Sequence, residues 1–171
     1  MVLVSTDKAV EPVSVMGRSK AEAERAVRVA DTTPPNRCRY TAVRFGNVLG
    51  SSGSVVPLFQ EQINAGGPVT VTDERMTRWF ITVGEACELG LQAALAAVQP
   101  DRPRGEMYVL EMGHELHIAD IARDMVRLSG TECEIVVTGM RPGERLSEKL
   151  VWDHEIVVPT ACAGVRGVRG P

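Results

Sequence analysis

The chain has 171 residues, 44% of them hydrophobic, and a formal net charge of −3, which suits one domain able to bury about two thirds of its unfolded surface. The near-neutral balance, without basic tracts or interleaved aromatics, gives no footing for nucleic acid, no apolar run approaches the roughly 20 residues of a membrane span, and the start lacks the charged and apolar sections of a signal peptide. Cys38, Cys87, Cys133 and Cys162 are widely spread with no C-x-x-C pair, a pattern of reduced cytoplasmic thiols rather than of a disulfide framework or a zinc site, so no metal is expected.

Val2-Leu3-Val4 reads as a buried strand, punctuated by Ser5-Thr6. A helix beginning near Val13 and running to about Ala30 carries Met16 and Lys20 on one face, four residues apart. Asp31 to Asn36 is a Thr/Pro-rich loop, and Tyr40 to Phe45 returns as a strand that delivers Asn47 to a cleft. Val55 to Ala65 is helical, ended by Gly66-Gly67-Pro68 before the β-branched run Val69 to Thr72. Thr82-Val83-Gly84-Glu85 has capping-box spacing and opens an Ala/Leu-rich helix reaching about Val98. Gly105 to Met112 is a strand; Ile118, Ile121, Ala122, Met125 and Val126 repeat at helical spacing; Glu134 to Thr138 is a further strand. Strands alternating with helices argue for an α/β fold. In such sheets ligands gather at the carboxyl ends of strands, where Thr6, Asp7 and Lys8 fall.

From Glu155 onward the pattern weakens, and residues 155–171 read as a weakly structured basic tail beyond a body of residues 1–154. Gly164 to Gly170 matches G-x-x-G-x-x-G, but such a loop cradles pyrophosphate by opening a helix, and none follows here.

Five further blocks follow the opening motif in order: Arg44 to Gly50, Gly53 to Pro57, Gly66 to Thr72, Met76 to Phe80, and Arg141-Pro142-Gly143-Glu144. Together they resemble the extended short-chain dehydrogenase/reductases, most closely their nucleotide-sugar 4,6-dehydratases of the polysaccharide-biosynthesis type, over nearly the whole chain. The resemblance implies an incomplete Rossmann-type α/β fold, made of the last sheet strands plus the small carboxyl-terminal substrate-binding region. It implies the catalytic and substrate half of a UDP-N-acetylglucosamine 4,6-dehydratase, with NAD(P) as cofactor and most of the dinucleotide site absent from these residues. A UDP-sugar is the expected substrate, and the expected partners are a polypeptide carrying the front half or a second copy of the chain. Without that half, turnover by the chain alone is not expected.

The same resemblance assigns roles. Lys8 is the base at sugar C5, Asp7 the acid at the C6 hydroxyl, and Thr6 holds the C4 oxygen as it becomes a carbonyl. Met16 stands where the wider superfamily has the tyrosine of Tyr-x-x-x-Lys, a substitution shared with some dehydratases of this type, and Lys20 binds the nicotinamide ribose. Arg78 and Arg141 form a diphosphate clamp, since guanidinium forks match phosphate oxygens. Glu144 takes the uridine ribose hydroxyls, Asn47 the substrate near its phosphates, and the backbone around Val69 and Thr70 flanks the uracil. His114 and His117 are cap or surface residues, while Arg44 and Arg75 receive no role. A 4-epimerase or reductase on the same scaffold would not need the Asp7-Lys8 pair, and a non-catalytic nucleotide-sugar-binding module would not need a cofactor.

Overall fold

The structure, a computed structural model, describes residues 1–35 and 37–170. Asn36, at the end of the expected Thr/Pro-rich loop, and Pro171, at the end of the expected tail, lie outside the described residues. The opening apolar run is strand β1 (Val2–Val4), paired in parallel with β2 (Thr41–Arg44), all four residues of which are buried. Helix α1 (Val15–Thr32) makes the crossover between them. Its start is fixed by Ser14, whose hydroxyl accepts the Gly17 N–H at 3.0 Å, an N-cap that satisfies one of the helix's orphan donors.

After β2 come the short β3 (Asn47–Val48), helix α2 (Val55–Asn64), and strands β4 (Val69–Val71) and β5 (Thr77–Ile81). Thr82 and Glu85 close both halves of a capping box at the start of α3 (Val83–Ala97), as the spacing predicts. Strand β6 (Met107–Leu110) then joins β2 in parallel. β7 (Glu115–His117) pairs antiparallel with β5 and leads into α4 (Ile118–Ser129), and β8 (Ile135–Val137) pairs in parallel with β4.

The last segment corrects the expectation of a weakly structured tail over residues 155–171. It forms β9 (Ile156–Pro159) and β10 (Val165–Arg169), which complete the main sheet in the order β1-β2-β6-β10-β9. β10 runs antiparallel to both neighbours, with Val165 and Val168 buried. Its glycines and arginines disguised it. A Cβ at Gly167 would lie 2.9 Å from Val158 and 3.0 Å from the Glu106 carboxyl, so the glycine permits close strand approach. Arg166 and Arg169 are paired with Glu111 and Glu106 rather than left to solvent.

Two apolar clusters hold these layers. One gathers Val43, Tyr108, Leu110 and Val165 of the main sheet against Ala93, Ala96 and Ala97 of α3. The other joins Phe59 and Ile63 of α2 to Val69, Val71, Met76, Ile118 and Ala122. The candidate site lies where the β1–β2 end of the main sheet faces this second body. Among the described residues no helix is long and apolar enough to cross a membrane.

One charged residue belongs to the core. Arg44, on β2, donates to Glu24 of α1 through Nε at 2.8 Å and Nη2 at 2.7 Å, and to Glu155 through Nη1 at 2.6 Å and Nη2 at 3.1 Å. Burial opposes its charge, but the hydrogen bonds to Glu24 and Glu155 outweigh that, and its pKa is raised. Arg44 thus ties helix, strand and the entry to β9, a structural role for a residue whose sequence context suggested none. Arg75, the other unassigned arginine, folds back on Asp73 at 2.8 Å.

Candidate functional site

Where β1 ends, the chain turns through a single 3-10 turn, Asp7–Ala9, capped by Thr6. The turn is anchored to the neighbouring strand by the Asp7 N–H, which donates to the Phe45 carbonyl at 3.1 Å. It is overlaid by α1 so closely that a Cβ at Gly17 would sit 2.3 Å from the Lys8 carbonyl oxygen. Only glycine lets the helix start there.

This clamp fixes a chain of polar side chains. Thr6 Oγ1 donates to Asp7 Oδ1 at 2.8 Å, and Lys8 Nζ donates to the same oxygen at 3.0 Å and to Asn47 Oδ1 at 2.9 Å. Asn47 is positioned by β3, paired in parallel with β5 through Phe80. Asp7 is fully buried, and its other oxygen, Oδ2, has no hydrogen-bond partner. A buried carboxyl oxygen left without a partner costs free energy, and such atoms collect where a ligand or a proton completes them.

Lys8 and Asn47 open onto a cleft of about 280 Å³ whose walls include Thr70, Arg78, Arg141, Glu144, Arg145 and Glu148. Residues far apart in sequence thus meet here: the turn after β1, β3, β4, β5 and the Arg141–Glu148 segment. Arg141 is exposed, and its backbone N–H donates to Glu144 Oε2 at 2.9 Å, a local link that shapes the R-P-G-E loop. Arg78 is buried and committed to the chain: Nη1 donates to the Thr77 and Leu146 carbonyls, the latter at 3.1 Å, and Nη2 to the Arg145 carbonyl at 2.8 Å. It faces the cleft while bracing the loop that carries Arg141.

Five of the residues singled out from sequence do not line this cleft, among them the fully buried Asp7, which reaches it only through Lys8. Val69 is fully buried in the second apolar cluster, and its N–H is taken by the Glu134 carbonyl at 2.8 Å. Thr70 does reach the cleft, although its N–H is accepted by Gln62 Oε1 at 2.9 Å. Thr6 stands behind the Asp7–Lys8 pair. Met16 and Lys20 lie on the open side of β1: Met16 is 49% exposed, which excludes a core-packing role, and Lys20 Nζ donates to the Val4 carbonyl at 3.0 Å.

The sequence pattern passed over Arg145 and Glu148. Glu148 is the more telling, since only 8% of the residue is exposed although it lines the cleft. Burial and the nearby Asp7 charge raise its pKa against the opposing pull of Lys8, Arg78 and Arg145. No periodicity marks it, because its segment is neither helix nor strand. Among the described residues no group of three or more His, Cys, Asp or Glu side chains could hold a metal ion.

Comparisons with known proteins bear on the family and the fold. A family model described as "Polysaccharide biosynthesis protein" matches residues 1–168. The capsular polysaccharide biosynthesis protein CapD of Staphylococcus aureus is 48% identical over 158 residues, covering 91% of this chain and 25% of that protein. Among solved structures, Pen from Bacillus thuringiensis superposes with a TM-score of 0.84 at 30% identity, over 99% of this chain and 52% of Pen. DesIV of Streptomyces venezuelae, a dTDP-glucose 4,6-dehydratase solved with NAD bound, gives a TM-score of 0.73 at 22% identity, over 88% of this chain and 50% of DesIV. The chain therefore spans a quarter of CapD and about half of these structural neighbours, and its sheet is the corresponding part of the mixed α/β, Rossmann-like fold of extended short-chain dehydrogenase/reductases.

Proposed function

The chain belongs to the polysaccharide biosynthesis protein family, and from that premise we propose that its cleft takes a UDP-N-acetylhexosamine, which it dehydrates across C5 and C6 when joined to a dinucleotide-binding half. The observation that carries this reading is the Asp7–Lys8 pair. A sugar oxidised at C4 loses its C5 proton to a base and its C6 hydroxyl to an acid, so two proton carriers must stand side by side at one end of the substrate. Lys8 is held by Asp7 and Asn47 at the mouth of the cleft. These two bonds aim the amine nitrogen at the position where the C5 proton would be taken. Asp7 accepts both neighbouring donors on Oδ1, which leaves Oδ2 for the proton that the departing hydroxyl takes. The family resemblance assigns Thr6 to the C4 oxygen, to which its hydroxyl would have to turn from Asp7 Oδ1.

Arg141 and Arg145 line the same cleft and supply guanidinium charge for a diphosphate, with Glu144 assigned to the nucleoside. Arg78 supports that clamp by bracing its loop. The UDP moiety and the N-acetylhexosamine are proposals, drawn from the family resemblance and the cleft's charges. The chain's own residues fit one end of a bound NAD(P): the Lys20 amine uses one of its donors on Val4 and keeps others for a ribose hydroxyl on the open side of β1. When bound, the dinucleotide would supply hydride acceptance at C4 and hydride return at C6. The glycines of β10 do not contribute a phosphate loop, because they lie in a strand. Cys87, Cys133 and Cys162 form no disulfide among the described residues, which accords with a cytoplasmic setting.

The test is conversion of UDP-N-acetylglucosamine to its 4-keto-6-deoxy product by the chain alone and by the chain joined to a dinucleotide-binding half. We expect turnover from the joined form and none from the chain alone. Robust turnover by the chain alone contradicts the division of labour, and a 4-epimer as the sole product contradicts dehydration.

A further inference from the structure

Glu148 is an acid built into the cleft wall with its carboxyl left unpartnered. Its main chain is fixed, since the Trp79 indole N–H of β5 donates to its carbonyl at 3.1 Å. Its side chain is 7% exposed, and the nearest cation, the Arg78 guanidinium, stands at 4.0 Å, beyond hydrogen-bonding distance. Arg78 spends its own donors on the Thr77, Leu146 and Arg145 carbonyls. A carboxyl this buried, open only to a cavity and unmatched by any donor of the chain, is completed by whatever fills the cavity.

We propose that Glu148 is a sugar-positioning residue of this cleft, whose carboxyl O–H donates a hydrogen bond to a hexose hydroxyl of the bound nucleotide sugar. The inference rests on the reading of the cleft as a nucleotide-sugar site, and it deepens that reading by fixing which way the substrate lies. A carboxyl O–H suits a hydroxyl, which both donates and accepts, while guanidinium forks suit a diphosphate. The hexose therefore lies between Lys8 and Glu148, and the diphosphate points toward Arg141 and Arg145. Four charged or titratable groups face Glu148: Lys8 and Asp7 from the turn after β1, Arg78 from β5, and Arg145 from its own segment. Burial, reinforced by Asp7, outweighs the three cations and keeps the proton on Glu148 above the ordinary carboxylate range.

Calorimetric titration of UDP and of UDP-N-acetylglucosamine into the full chain, its Glu148→Ala variant and its Glu148→Gln variant tests this. Loss of one neutral hydrogen bond should weaken the sugar nucleotide by about fivefold in Glu148→Ala and leave UDP within about twofold. Glu148→Gln, which keeps a donor of the same length, should restore sugar affinity. In the unmodified chain the preference for the sugar nucleotide over UDP should fall as pH rises through the raised pKa of Glu148. In Glu148→Gln that slope should vanish, although Lys8, Asp7, Arg78 and Arg145 are still present. Equal losses for UDP and UDP-N-acetylglucosamine would make Glu148 a brace for Arg78 and overturn the proposal, as would unchanged sugar affinity in Glu148→Ala. Absence of a 4-keto-6-deoxy product with these binding differences intact counts against dehydration alone, whereas absence of UDP affinity in the unmodified chain overturns both readings.

Discussion

Two groups of buried charges flank the β1–β2 end of the main sheet, and they are built to opposite rules. Around Arg44 every donor is matched: four hydrogen bonds of 2.6 to 3.1 Å run to the two carboxylates of Glu24 and Glu155, and a fifth, at 3.4 Å, to the Leu150 carbonyl. Around Lys8 the matching is incomplete: Asp7 Oδ2 has no partner and Glu148 stands 4.0 Å from its nearest cation. A saturated cluster fixes the fold, while one with atoms left over waits for a ligand. Both contain buried acid and base, so charge and burial alone do not separate structural sites from functional ones. The open valences do.

The largest effect expected from this contrast is on the saturated side. Arg44→Met leaves Glu24 buried without a counter-charge and Glu155 with Arg28 alone, at 3.7 Å, and should cost about 3 to 5 kcal/mol of stability. Denaturant unfolding of the chain measures it. A cost below about 1 kcal/mol would break the comparison, since the cluster would then do no structural work. A smaller effect is expected at the rim of the open side. Arg141 is exposed and, among the described residues, bonds the chain only through its backbone N–H and carbonyl, both to Glu144, so Arg141→Ala should leave stability unchanged within about 0.5 kcal/mol. It should weaken UDP on the order of tenfold, the loss of one charge-assisted bond. Equal UDP affinity in the variant removes Arg141 from the clamp.

What was legible in the sequence follows the same division. The elements written in hydrophobic period or capping chemistry were readable to within a residue or two: α2, α3, and the strands Thr41–Arg44 and Met107–Leu110 inside longer expected runs. β10 was not, because its Val-Arg-Gly-Val-Arg pattern spends a glycine on close packing and pairs its arginines across the sheet, features that only neighbours reveal. In the site, Asp7, Lys8, Asn47 and the Arg141–Glu144 loop could be found because each sits in a compact motif, and the fold brings Lys8, Asn47 and the loop to one cleft, with Asp7 bonded to Lys8. Arg78 was readable as a cleft residue but not as a brace, since its partners are carbonyls 67 and 68 residues away. Glu148 carried no local signal at all. Its importance comes from what surrounds it, and Arg44 is hidden for the same reason, with Glu24 and Glu155 lying 20 and 111 residues away.

The central claim is that the unsaturated cluster is a proton-transfer site, with Lys8 as its base. The most direct measurement is solvent deuterium entry at sugar C5, made on the chain joined to a dinucleotide-binding half and on its Lys8→Ala variant. The account predicts that the variant fails to place deuterium at C5 and loses about 10² to 10⁴ in turnover, the usual range for removing a positioned general base. Deuterium entering C5 in Lys8→Ala at the rate of the parent would contradict it.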